Sequence, residues 1–309
     1  MVNFYNEALM NVASFSKLPV RPIHLLSIIC FMVLMSGNSF SATLTWTGLG
    51  NWSTPTNWSS GVIPGPGDSV IFSGVSNNNC DLDINDSIST ITFTTGYTGA
   101  FNFLGANLVV TGDADFSTGG SIQPGGTAGF LTFSGTTLQH FTPAPGNCFP
   151  NLRQAGIGGA IVLGDLQAKK ILISMGTFNM STFALLGQDS LKITGSGVFD
   201  ASSSAGSSQI NSFVIINSGS FKAPKGNLSI LGGFVNNGTF IHDSGTITMI
   251  STIPQQFVPG AFPLFNLTFN GSGGNWQAQA NNIVIGTLTM INGAFNLNGF
   301  NDSLGTLAG

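Results

Sequence analysis

The stretches LTFSGTTLQHF (Leu131–Phe141) and ITMISTIPQQF (Ile247–Phe257) decide the fold. The first runs on to ILISMGTFNMSTF (Ile171–Phe183), the second to TLTMINGAFNLNGF (Thr287–Phe300). Phe141 falls opposite Phe257, Pro143 opposite Pro259, and Phe178-Asn179 opposite Phe295-Asn296, at a spacing of about 116 residues. Apolar and polar side chains alternate within each stretch, which is the period of a strand. Strand-period text that recurs along a chain marks a stacked repeat, whose units bury their apolar faces only against neighbours. The spacing therefore predicts two long copies of one repeat.

Composition points the same way. Only 6% of the 309 residues are charged, while 42 are Gly and 26 are Phe. The 42% hydrophobic content argues for a buried core rather than disorder. Gly, Ser, Thr, Asn and β-branched residues form helices poorly, so the chain reads as all-β. Glutamate is absent after Glu7, and the other eleven acids are aspartates, which favour turns. Beyond residue 41, six basic side chains face eleven acidic ones, a net charge of −5. No basic stripe is present to neutralise phosphates, which excludes nucleic acid as a partner.

Lys17 and Arg21 precede the apolar run IHLLSIICFMVLM (Ile23–Met35). That length suits a signal-peptide core better than a bilayer span, and Ser39 and Ser41 suit cleavage before Ala42. Residues 1–41 are thus expected to be a signal peptide, leaving an exported chain with no stable membrane span. Residues 42–79 read as an N-terminal cap, and residues 80–309 as solenoid coils. The phrases GTFNMSTF, GVFDASS, GSFKAPKGNLSI, GTFIHDSGTITM and GAFNLNGF each predict a Phe that meets the Phe of the next coil, with Gly at the corner.

Residues 50–72 follow the pattern G-x-W-x-x-x-x-N-W-x-x-G-x-x-P-x-x-x-D-x-V-x-F. This resembles the opening segment of bacterial autotransporter-like surface β-helix proteins. The last phrase, GAFNLNGFNDSLGTLAG, resembles their autotransporter-associated strand repeats, in which further coils follow. The resemblance implies a parallel β-helix of right-handed sense with a Trp-rich N-terminal cap, on the bacterial outer surface, and a chain that is a fragment of a longer product. It covers the two ends of the chain and the middle only in style.

Candidate chemistry is sparse. Trp46, Trp52, Trp58 and Trp276 offer either core for the cap or a stacking platform for sugars. Asp81, Asp83 and Asp86 form the best metal candidate, against a reading as strand edges and turns; they lack the glycine and distal glutamate of a calcium loop. Cys80 and Cys148 form either one disulfide or two buried thiols. His140 and His242 lack a nucleophile or a second metal ligand at useful spacing. An enzyme would need Asp165, Asp189 and Asp200 to converge on one face. No cofactor is expected. The expectation is a structural or adhesin-like rod that contacts surface glycans or proteins, with self-association through an open C-terminal rung. The alternatives are a carbohydrate-binding module or a polysaccharide-active enzyme.

Overall fold

The structure is a computed structural model that describes residues 41–125, 129–186 and 189–309. The segment expected to be a signal peptide, residues 1–41, lies outside the described residues apart from Ser41. The unit Ser41–Gly309 is a β-solenoid of about 11 turns. Each turn lays one short strand on each of three faces. On the first face, strands Asp86–Ile88, Leu108–Val110, Phe130–Phe133, Asn151–Gln154, Lys170–Ile173 and Ser190–Ile193 follow one another, each pairing in parallel with the next. Their starts are 19–22 residues apart, which is one coil. At ~4.8 Å per coil the stack is roughly 50 Å long.

The second face is a ten-stranded parallel sheet from Thr43–Thr45 to Thr239–Ile241. The third begins with Gly50–Asn51, Cys80–Asp81, Ala100–Asn102 and Ser121–Gln123. The parallel pair Cys148–Phe149 and Gln167–Ala168 and isolated parallel bridges at Leu166–Leu185 and Leu186–Gln209 span the interval before it resumes with Ser208–Ile210, Asn227–Ile230 and Thr246–Met249. The long strand Asn266–Ala278 turns the corner, pairing through Asn266–Phe269 with the third face and through Asn275–Ala278 with the first.

The coil, not the 116-residue spacing, is the structural unit. Leu131 lies on the first face but Ile247 on the third; Phe141 and Phe178 lie on the second but Phe257 and Phe295 on the first. The second copy is displaced by one face because 116 residues are not a whole number of coils. What recurs is a strand–corner–strand phrase that serves at any of the three corners.

The Phe column is present where four of its five phrases predict it. Phe178, Phe199, Phe221 and Phe240 are register partners on successive coils of the second face. All four are buried, with centroids 5.4–6.3 Å apart. Only the first pair is stacked; the others meet edge to face, the arrangement that ring quadrupoles favour. Phe295, from the fifth phrase, pairs instead with Trp276 on the first face. Gly219 precedes Phe221 with φ 77°, and a Cβ there would overlap the Gly197 carbonyl oxygen of the neighbouring coil. Glycine is required at this corner on both counts.

Side-chain amides and carboxylates tie coil to coil. Asn85 Oδ1 accepts from the Asn107 backbone N–H at 2.8 Å, and Asn107 Oδ1 from the Phe130 N–H at 2.9 Å. Asp115, Asn179 and Asp200 each accept from the N–H of the serine two residues on, which closes the corner after the strand. This is where the scarce acids and abundant asparagines are used.

Candidate contact surfaces and their chemistry

The motif of residues 50–72 builds the N-terminal end position by position. Segment Asn57–Ser59 runs antiparallel along the edge of Thr43–Thr45 that faces away from Ser69–Phe72. Thr47 N–H donates to Asn57 O at 2.9 Å and Ser59 N–H to Thr45 O at 3.0 Å. The Asn57 side chain donates to the carbonyls of Leu49 and Asn51 and accepts from the Leu49 N–H. Asp68 accepts from the N–H groups of Ala42 and Gly65. Gly50 (φ 90°), which opens its strand, and Gly61 (φ 68°), at a bend, take left-handed backbone that other residues adopt only at a cost.

Trp46, Trp52 and Trp58 are buried within this end, at 0, 0 and 2% exposure. Trp58 meets Trp46 at 5.1 Å and Trp52 at 4.7 Å, both edge to face. Their indole N–H groups donate to Asn78 O, Asp86 Oδ2 and Trp52 O respectively. Trp276, at 0% exposure, packs on Phe269 at 4.8 Å. The sugar-platform reading of the four tryptophans is therefore corrected: their faces are filled by other rings and none is open to a ligand.

Asp81, Asp83 and Asp86, the metal candidate, turn their carboxylates to separate partners. Asp81 accepts from the Asn102 side chain, Asp83 from the Ser53 N–H and hydroxyl, and Asp86 from Trp52 and the Ser87 N–H. Among the described residues no three His, Cys, Asp or Glu side chains converge. Alternation sends Asp81 to the opposite side of its strand from inward Cys80, and Asp86 goes to the tryptophan cluster. Burial raises the Asp86 pKa above the usual carboxylate value, although the bonds from Trp52 and Ser87 act in the opposite sense. Leu82, Ile88, Ile91 and Phe93 point inward and are buried, whereas Ile84, which the same alternation would place inward, sits at a bend, 37% exposed.

Cys80 and Cys148 are free thiols, which corrects the disulfide reading. Three intervals separate them on the third face (Cys80–Asp81, Ala100–Asn102, Ser121–Gln123, then Cys148–Phe149). At ~4.8 Å per coil that is ~14 Å, about twice the Cα separation that a disulfide spans. Burial, then the nearby charges of Asp81 and Asp83, push the Cys80 thiol well above its ordinary pKa.

Asp165, Asp189 and Asp200, which the enzyme alternative needs on one face, are dispersed. Asp165 accepts from the Ala184 N–H at 2.8 Å and lines a cleft of about 370 Å³ with Pro143, Leu163 and Phe183. Asp189 precedes the first-face strand Ser190–Ile193, beside the small hollow at Ile171 and Leu185. Asp200 lies on the second face, bonded to Lys222 at 2.8 Å. Burial raises the Asp200 pKa, but the bonds from Lys222 and Ser202 outweigh it and leave the value lowered. His140 meets Asp113 at 3.3 Å on the exposed second face, and His242 Nδ1 accepts from the Ser244 N–H while its ring stacks on Phe265.

The outward rows are uncharged over much of the C-terminal half. On the third face Gln209, Ser229, Thr248, Thr268 and Thr289 are successive register partners, with Asn227, Thr246 and Asn266 beside them. On the first face Gln256, Gln277 and Asn296 form an in-register amide ladder, all exposed. Sequence reasoning missed these rows; the signal available was the T-x-T and N-x-T phrasing at one-coil spacing. At the last described strand, Asp302–Ala308, Leu304 and Leu307 partner Val284 and Leu288 yet are 36% and 66% exposed. Among the described residues no helix is long and apolar enough to cross a membrane. Compared with protein-family models, curated proteins and solved structures, the chain matches none.

Proposed function

We propose that the Ser41–Gly309 unit is an exported, adhesin-like contact rod at a cell surface. The observation that carries this reading is the division of its side chains. Tryptophans, most aspartates and Cys80 are engaged in the core, corners and N-terminal end. The outward rows are left as hydroxyls and amides repeated at one-coil spacing. Such rows suit many weak, shape-matched hydrogen bonds along a face, which gain strength by multivalency rather than in one deep pocket. The signal-like segment of residues 1–41 and the resemblance to autotransporter-like surface proteins support export.

The test is expression with native residues 1–41, followed by mass spectrometry of the mature N-terminus and protease shaving of intact cells. A mature chain starting at Ala42 and releasable from the surface is expected. An uncleaved chain retained inside the cell would refute the reading.

A further inference from the structure

We propose that the corner between the third and first faces, from Asn211 to Gln277, binds a neutral polysaccharide lying along the stack axis. The inference rests on the contact-rod reading and gives that rod a partner. Two abutting hollows of about 390 and 230 Å³ share Phe213 and Gln255. The coil pattern explains the hollow. Successive coils place Ser212-Phe213, Gly232-Gly233, Thr252-Ile253 and Gly273-Gly274 at this corner. A Cβ on Gly232 would overlap the Ser212 carbonyl oxygen, so the backbone itself forms the floor there. Phe213 and Ile253 stand up as apolar walls, 38% and 61% exposed.

The rim chemistry selects the ligand. Gln255, Gln256, Gln277 and Asn211 supply amides, each with donors and an acceptor, as vicinal hydroxyls require. Gln256 and Gln277 are register partners, so their amides repeat at the coil spacing along the trough. The exposed Phe213 ring and Ile253 offer surfaces for the C–H face of a sugar. Among the described residues no Asp, Glu, Lys or Arg lines either hollow, so an anionic polymer finds no cation there and an amine no carboxylate. The neighbouring threonine rows raise a different class of surface, the ice lattice. The geometry disfavours it: Thr248 Oγ1 donates to Asn227 Oδ1 at 2.6 Å and Asn227 Nδ2 to Ser229 Oγ at 2.8 Å, so two hydroxyls of the row already hold partners in the chain and the row is not a uniform array.

The experiment is pull-down of the purified protein by insoluble cellulose, chitin and β-1,3-glucan, with affinity electrophoresis in soluble neutral glucans and in polygalacturonate. Binding to at least one neutral polymer and not to polygalacturonate is expected. Phe213→Ala and the pair Gln256→Ala/Gln277→Ala, all at exposed positions, should each weaken it about 10-fold or more with unchanged thermal unfolding. Leu163→Ala, in the cleft beside Asp165, should leave it unchanged. Failure to bind every neutral polymer, preference for the anionic one, loss only in Leu163→Ala, or arrest of ice recrystallisation without polysaccharide binding would each overturn the proposal. Surface display is read separately by protease shaving, so failure of this inference is distinguishable from failure of the contact-rod reading.

Discussion

Truncation of Phe221 to alanine tests the column that organises the second face. Phe221 is 1% exposed and its ring lies 5.4 Å from Phe199 and 5.6 Å from Phe240. The coils on either side are held in parallel register through Val198–Ser220 and Ser220–Thr239, so the backbone has little room to collapse into the void. A buried Phe→Ala change of this kind costs about 3–5 kcal/mol, which includes roughly 0.5–1.5 kcal/mol for each ring pair. For a unit of this size that corresponds to a melting-temperature loss of roughly 6–20 °C. Urea unfolding of Phe221→Ala, Phe199→Ala and the double variant would isolate the ring coupling as a double-mutant cycle. Because each coil contacts chiefly its neighbours, amide exchange should accelerate first at Val198–Asp200 and Thr239–Ile241. Ser69–Phe72, seven strands away in the same sheet, should be protected longest. A cost below about 1 kcal/mol with no coupling between Phe199 and Phe221 would refute the column as the source of stability.

Four further outcomes follow from the same geometry. Gly219→Ala should cost at least ~1–2 kcal/mol from the left-handed backbone alone, whereas Gly206→Ala, with open space around its Cβ position, should change stability by less than ~0.5 kcal/mol in the same melt. Asp86→Asn should be more stable than the native protein at pH 7, because the raised folded pKa penalises the ionised form. That gain should shrink as pH falls through the folded pKa and vanish below the unfolded value of ~3.9. Asp200→Asn should show the opposite sign: its lowered folded pKa means stability that is present at pH 7 and lost as pH falls through that value, read in pH-dependent urea melts. Alkylation without reductant should label half-buried Cys148 in the native state and Cys80 only after unfolding; a Cys80–Cys148 cross-link would contradict this reading.

Much of the architecture is legible locally. Alternation in TITF (Thr90–Phe93) predicts a strand with Ile91 and Phe93 inward, as found. The G-x-F phrases name four members of the Phe column because the period-2 alternation and the corner glycine are both local constraints. Ile84 fails the same reasoning because the strand ends at Asp81 and a bend interrupts the alternation. The tryptophan sites fail for a different reason. An indole suits a buried corner and an exposed platform equally well; only the antiparallel return of Asn57–Ser59 brings Trp58 onto Trp46 and Trp52, and only the corner in Asn266–Ala278 brings Trp276 onto Phe269.

Composition and periodicity by themselves determine that the chain is all-β, stacked and nearly uncharged, since these are properties of each residue and its immediate neighbours. Tertiary structure alone decides which face each phrase occupies, because that depends on coil lengths of about 20 residues accumulated over the whole stack. The one-face displacement of the 116-residue echo, the ~14 Å between Cys80 and Cys148, and the meeting of Phe213 with Gln255 and Gln277 at one corner are all consequences of that winding. Residues one coil apart in sequence become neighbours at ~4.8 Å, so the surface is set by winding register rather than by any local motif.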